Sequence, residues 1–320
     1  MSAHFLLTSR ARTLSLRDVF SLGEKCAYDL FRELRWPETN GEPVCPRCQF
    51  TEAYGIPTRR KFKCKACHHQ FSVTSGTILA ARKMSFTDLL AAVVMLINGA
   101  KGVSSLQLAR DLNCQHKTAF VLAHKLRQAM SSEDAGAELS GEVEVDGCYV
   151  GGHIRKANLK KNRRDRRLAR NQTGKRRVVV AARERGGRIL TTVVRHEADG
   201  IEFVADVVAD GSTLFADEAS HWDALHVLFR TNRINHTEAY SFDGVHTNFV
   251  ESFFARVRNM VRGQHHHVSP QHLHLYASHA AWMEGHRRMD NGALVKSALS
   301  LALAHTVSRE WNGYWQRSGI

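Results

Sequence analysis

Two cysteine pairs constrain the fold of this chain more than any other feature. Cys45-Pro-Arg-Cys48 is followed by 15 residues and then by Cys64-Lys-Ala-Cys67. Thiolate pairs at this spacing close a tetrahedral Zn²⁺ site, each pair on a tight knuckle turn with a hairpin between them. A segment of roughly thirty residues has too little core to fold alone, so the binding energy of the metal becomes its folding energy. The competing reading is four unconnected buried thiols. With all four ligands supplied by protein there is no open position for water, so the zinc is structural. His68 and His69 are then surplus to the metal. The other three cysteines, Cys26, Cys114 and Cys148, read as small buried hydrophobes; with an odd total of seven and four of them in two pairs, a reducing compartment makes metal the reading rather than disulfides.

Charge placement narrows the partner. The net charge is +14, and residues 153 to 188 carry fifteen Lys or Arg against only Asp165 and Glu184, which is +13 of it. A block this concentrated suits a polyanion, most simply nucleic acid, with a solubilising loop as the bland alternative. At 320 residues and 43% hydrophobic, the chain has material for one to three cored domains. No apolar run is long enough to span a bilayer, and the N-terminus MSAHFLLTSRAR lacks a signal-peptide pattern. The expectation is a soluble cytoplasmic protein without membrane partners, nucleoid-associated when on DNA.

Residues 84 to 130 read as three helices. The first begins near Ser85, with Asp88 in its first turn and Gly99 beyond its end; the second is capped by Ser104 or Ser105. The third, residues 115 to 130, places Ala119, Leu122, Ala123 and Leu126 on one face. The tight Leu112-Asn113-Cys114 connection resembles that of a helix-turn-helix. Gln115, His116, Lys117 and Thr118 would then lie where base edges are reached, with Lys125 and Arg127 on phosphates. A plain helical bundle with a basic surface is the other possibility.

The second half alternates strands and helices. Along GEVEVDGCYVGG (141 to 152), Glu142, Glu144 and Asp146 face one side of a strand and Val143 and Val145 the other. An acid aimed inward from a central strand is costly unless a cation neutralises it. Two strands joined at Gly186-Gly187 follow, then a helix over 199 to 209 and a strand ending at Asp217. Next come a short helix around 221 to 229, a strand at 231 to 237, and an amphipathic helix. On that last helix Asn248 and Glu251 are neighbours, and Arg258 lies two turns on. This order matches a ribonuclease-H-like fold, in which acids from the first strand, the fourth strand and the next helix converge. Three carboxylates suit two Mg²⁺ ions in an in-line phosphodiester displacement. Asp146 is assigned as the bridging ligand, with Asp217 and Glu251 each on one metal.

At this point the chain resembles the bacterial insertion-sequence transposases of the zinc-ribbon, DDE-type group with an ISXO-like catalytic domain. The resemblance runs from Trp36 through CPRC, KFKCKACHHQFSVTSGTIL and KGVSSLQLARDLNCQHKTAFVLAHKLRQAM. It continues in VEVDGCYVGG, the ADE around Asp217, INHTEAYSFDGVHTNFVESFF and HHHVSPQHLHLY. It implies an α/β (α+β) protein with a helical lead-in (1–36), a zinc ribbon (37–80) and a helix-turn-helix domain (81–132). A ribonuclease-H-like domain (140–290) with a basic insertion (153–177) and a helical tail (291–320) would follow. The implied activity is cleavage at element ends and strand transfer into target DNA, by a dimer or larger assembly using two Mg²⁺, with Mn²⁺ as a substitute. Two departures stand out. The family's usual acid after the first aspartate is Gly147 here, and Arg258 stands where lysine is commoner. The family varies in whether an asparagine or the glutamate completes the triad; Glu251 is preferred because a neutral amide cannot offset metal charge, and Asn248 is kept beside it.

In the basic insertion Arg163, Arg164, Arg166, Arg167, Arg170, Lys175 and Arg176 are expected to grip phosphates without reading sequence, with Arg258 joining them from the helix. The histidine-rich run from Gln264 to His274 reads as a loop with Ser269 capping a helix and Pro270 in its first turn. Trp282, Trp311 and Trp315 read as helical core residues. The rival functions are a domesticated DNA-binding regulator that does not cut and a ribonuclease-H-like nuclease that cuts without joining.

Overall fold

A computed structural model describes residues 4–152, 156–165, 169–171, 173–235, 241 and 243–317. The chain forms two compact units: Met1–Glu133 together with His286–Ile320, and Asp134–Gly285.

In the first unit, Ser15 and Asp18 form a reciprocal capping box that starts helix α1 (Leu16–Arg35), which is kinked where Gly23 adopts φ +72°. A three-stranded antiparallel ribbon follows, β1 (Ala53–Ile56), β2 (Lys61–Cys64) and β3 (Gln70–Phe71), in the order β1-β2-β3. Its small core is aromatic. Phe62 lies 5.7 Å from Trp36 and 5.6 Å from Phe71, centroid to centroid. Helix α2 (Phe86–Asn98) is capped by Ser85 and is apolar on nearly every side, which suits its central place among α1, α4 (His116–Ser131) and the C-terminal helix Asn291–Ala304. Helix α3 (Ser105–Asp111), capped by Ser104, packs on α4 across a turn in which Asn113 takes φ +46°. The three expected helices are therefore present, and the helix after Asp290 packs within this unit.

The second unit is built on a five-stranded mixed sheet. Strands β4 (Glu142–Val150), β5 (Arg177–Glu184) and β6 (Ile189–Val194) are antiparallel, with Gly186 at φ +82° in the β5–β6 turn. Helix α5 (Gly200–Val207) then leads to β7 (Thr213–Asp217) and, after a 3-10 helix at Ser220–Val227, to β8 (Arg230–Ile234). The order is β6-β5-β4-β7-β8, with β7 parallel to both β4 and β8. Helices α6 (Asn248–Asn259) and α7 (Leu273–Gly285) complete the unit, and α6 runs on into a π-helical stretch at Met260–His265.

Strand alternation divides the core into two layers. Cys148, Val150, Val179 and Ala181 pack against α6 and α7. Val143, Val145, Val178, Val180, Leu214 and Ala216 pack on the opposite face with α5 and the 3-10 helix.

Some local expectations need correction. The strand expected over 231 to 237 ends at Ile234, and residues 236 and 237 lie outside the described residues. Helix α7 starts at Leu273; the chain from Ser269 forms a turn in which His272 N–H donates to Ser269 O. Cys26 is exposed and Cys114 half-buried, so only Cys148 of the three is a buried hydrophobe. Trp282 and Trp311 are core, but Trp315 is 47% exposed.

Candidate active site

The four cysteine sulfurs meet at one end of the ribbon. Cys45 Sγ lies 3.6 Å from Cys67 Sγ, and Cys48 Sγ lies 3.6 Å from Cys64 Sγ and 3.4 Å from Cys67 Sγ. All four donor atoms fall within 4.8 Å of one another. Zn–S bonds of about 2.3 Å in a tetrahedron demand edges near 3.8 Å, so this thiol set fits zinc. Left-handed residues just past each pair, Gln49 at φ +61° and His68 at φ +56°, close the two knuckles by donating their N–H groups to Cys45 O and Cys64 O. His69 stacks parallel to Phe71, away from any ligand role.

The carboxylates of the second unit come from three elements. Asp146 lies on the α6 side of β4, in step with Cys148 and Val150. On β7, Leu214 and Ala216 face the other layer, so Asp217 faces the α6 side as well. Recorded pairing of β4 with β7 ends at Glu144 opposite Phe215. Carried two residues further, the same offset sets Asp146 beside Asp217. Glu251 projects from the first turn of α6, and Thr247 Oγ1 donates to it at 3.4 Å. Burial pushes the Asp146 carboxyl up to about 8; the Gly147 N–H opposes the shift, and the negative charges of Asp217, Glu197 and Glu251 add to it. A buried carboxyl in so negative a field is the donor set a hard divalent cation would relieve. Among the described residues the four cysteines are the set of three or more metal-ligating side chains whose donor atoms all lie within 4.8 Å. The carboxylates share a face and a field without closing to that spacing. Asn248 is exposed at the start of α6, and Arg258 hydrogen-bonds Cys148, two residues along the strand from Asp146.

Sequence reasoning missed one supporting acid. Glu197, just before α5, approaches the same end of the sheet. A Cβ built on Gly147 would sit 2.0 Å from Glu197 Oε1, so the absence of a side chain at 147 is what admits this carboxylate. Its carboxyl is raised first by burial, while His221 and a hydrogen bond from Tyr149 oppose the shift and Asp217 reinforces it. The glycine was visible in the sequence; its long-range occupant was not.

Glu144 has a different task. It is fully buried, and its Oε2 accepts the N–H groups of Phe249 at 2.9 Å and Val250 at 3.0 Å. Thr247, at the N-cap of α6, makes no side-chain cap bond, so a strand carboxylate takes the helix's unpaired donors. Arg185 Nε donates to Glu144 Oε1 at 3.1 Å, and His246 Nδ1 lies 2.9 Å from the same oxygen. These neighbours explain how an acid is tolerated inside the sheet. They also fix where α6 begins, and with it Glu251. Glu142 is exposed at the strand's start, paired with Arg185.

The DNA-contact candidates divide. Gln115, His116, Lys117 and Thr118 are exposed at the start of α4, where His116 Nε2 also lies 3.0 Å from Ser105 Oγ. Lys125 is half-buried. Arg127 is 1% exposed and reaches the Val103 carbonyl, so it is an interior residue and not a phosphate contact. Arg163, Arg164, Arg170 and Lys175 are exposed, and Arg176 lies over the Tyr149 ring at 3.9 Å. Arg166 and Arg167 lie outside the described residues. No helix among the described residues is long and apolar enough to cross a membrane.

Comparison with known families agrees with both halves of this description. Residues 138–285 match the ISXO2-like transposase domain, and residues 22–70 match the transposase zinc-ribbon domain. No curated protein and no solved structure matches the chain. The first match takes in the mixed sheet with Asp146, Asp217 and Glu251, and the second takes in all four cysteines.

Proposed function

We propose that this chain, which matches the ISXO2-like transposase domain and the transposase zinc-ribbon domain, is a transposase that binds the ends of its own element, cleaves them and joins the freed 3′ ends to target DNA. The observation that supports the proposal is the shared α6 side of Asp146 and Asp217, with Glu251 on the first turn of α6; the Asp146 carboxyl is raised first by burial and then by the negative charges of Asp217, Glu197 and Glu251.

Asp146, Asp217 and Glu251 would hold the divalent ions, Mg²⁺ or Mn²⁺. When bound, such ions polarise the attacking oxygen and stabilise the leaving oxygen of an in-line displacement. The rest falls to the chain's own groups. Glu144 anchors the start of α6 and so sets the depth at which Glu251 is presented. Asn248, exposed one turn before it, offers an amide to a phosphate oxygen. Arg258 supplies positive charge beside β4, where the scissile strand would pass. Gln115, His116, Lys117 and Thr118 would read the element end, with Lys125 and the basic insertion residues Arg163, Arg164, Arg166, Arg167, Arg170, Lys175 and Arg176 gripping phosphates at a strong salt dependence. The ribbon's zinc stays structural. Two ends must be joined together, so the working species is a dimer or larger assembly on DNA.

Incubation of end-labelled duplexes bearing the element's terminal repeats with Mg²⁺ tests the reading. Nicking at the element boundary that leaves a 3′-hydroxyl, and that stops in EDTA, is the expected result. Binding of the ends without any cleavage, in Mg²⁺ or Mn²⁺, would instead make the protein a DNA-binding regulator.

A further inference from the structure

A cavity of about 540 Å³ lies in the first unit between α4, the segment 79–84 and the C-terminal segment 311–316. Among the described residues, four cations line it, Arg82, Lys83, Lys117 and Lys125, and no carboxylate does. Its other distinctive wall is aromatic. Trp311 is buried and stacks on His124 at 4.4 Å; Tyr314 follows at 4.9 Å from Trp311 and Trp315 at 5.1 Å from Tyr314. Gly313, at φ +65°, makes the turn that lays Tyr314 and Trp315 over α4. The series runs from the core outward, and Trp315 ends it 47% exposed.

The two walls share one space. The Lys117 ammonium lies 5.3 Å from the Trp315 ring centroid. Lys125, two turns along the same face of α4, is half-buried, and burial pulls its amine below the ordinary lysine range. A described lining that carries four cations and no acid selects an anion, and half-exposed indole and phenol rings select a flat, apolar one. A nucleotide joins these two properties in a single group.

We infer that this cavity receives one unstacked nucleotide of the bound DNA, its base against Trp315 and Tyr314 and its phosphate among Lys83, Lys117 and Lys125. The inference rests on α4 being a DNA-contacting helix, since Lys117 and Thr118 belong both to its exposed start and to the cavity wall. It adds that the helix does more than lie in a groove. The C-terminal aromatic segment gives it a socket for a base that has left the stack, so DNA with a ready-made unpaired nucleotide binds better than an intact duplex.

Fluorescence anisotropy on the zinc-loaded full chain tests this, with a short fluorescein-labelled blunt duplex and the same duplex carrying one bulged thymidine. The wild type binds the bulged probe about tenfold more tightly, the scale of one base stacked on an aromatic ring. Trp315→Ala abolishes the preference, Trp315→Phe keeps it, and all three proteins bind the blunt duplex equally. Equal binding of both probes by the wild type overturns the socket while leaving DNA binding intact, as does a preference that survives in Trp315→Ala. Failure to bind either probe overturns the DNA-binding reading itself.

Discussion

Glu197 occupies the space that a side chain at Gly147 would need. A Cβ at that position would come within 2.0 Å of Glu197 Oε1 and 2.4 Å of its carboxyl carbon. The position directly after Asp146 is therefore served by an acid from 50 residues downstream, arriving from the turn before α5.

This pairing makes a swap informative. The obstructing atoms belong to the flexible end of Glu197, so Gly147→Ala displaces its carboxylate with little loss of stability. Removal of a supporting carboxylate weakens metal sites by about 10- to 100-fold, so Mn²⁺ affinity measured calorimetrically should fall by about tenfold in Gly147→Ala and in Glu197→Ala. The double variant Gly147→Glu/Glu197→Ala, which supplies the acid from the strand itself, should recover most of the affinity. Unaltered Mn²⁺ binding in Glu197→Ala would remove this residue from the site.

Glu144→Gln probes the helix anchor. Breaking one partner of a buried ion pair costs about 3–5 kcal/mol, and here the change leaves Arg185 facing a neutral amide while weakening the hold on the Phe249 and Val250 N–H groups. Urea unfolding followed by fluorescence should show the second unit destabilised by about 3 kcal/mol. Loss of under about 0.5 kcal/mol, the range of an ordinary surface substitution, would show that the N-terminus of α6 is held by other means.

Cys45→Ser or Cys64→Ser should empty the zinc site. Metal analysis of the purified chain is expected to fall from about one zinc per chain to near none, with weaker binding of element ends and increased proteolysis between residues 37 and 80. A cysteine variant that keeps its full zinc content would contradict the four-thiol assignment.

Acid stability of the first unit should depend on Glu24. Burial disfavours its ionised form, but N–H groups of Thr87 and Phe86, the Thr87 hydroxyl and Arg60 outweigh it and hold the carboxyl below the ordinary 4.5. Because the folded value is depressed, the contribution is fully present above pH 4.5 and disappears as pH falls through the folded value. Glu24→Gln should therefore cost about 1 kcal/mol at neutral pH, after allowance for its partial exposure. Thermal melts of the two proteins should converge in acid; a gap that persists or widens there would reverse the assignment.

Much of this arrangement was legible in the sequence because short spacings carried it. The cysteine pairs, the hairpin glycines and the i, i+3 relation of Asn248 and Glu251 are local, and strand alternation alone put Asp146 on the face of β4 opposite Val143 and Val145. Arg127 could have been placed correctly: it follows Ala119 by eight residues and Ala123 by four, on the face already read as buried, but its charge argued for the surface. Glu197 and the aromatic segment at Trp311, Tyr314 and Trp315 were out of reach, since their neighbours are set by tertiary packing. Glu144 was recognised as a costly inward acid, yet its partners Arg185 and His246 come from a strand end and a loop distant in sequence.

The most direct test of the account is a strand-transfer assay in Mg²⁺ with labelled element ends and a plasmid target, run on the wild type and on Asp146→Ala, Asp217→Ala and Glu251→Ala. Joined product from the wild type and none from any variant, with end binding retained in all four proteins, is the predicted result. Joining at the wild-type rate by any one of the three variants would contradict it.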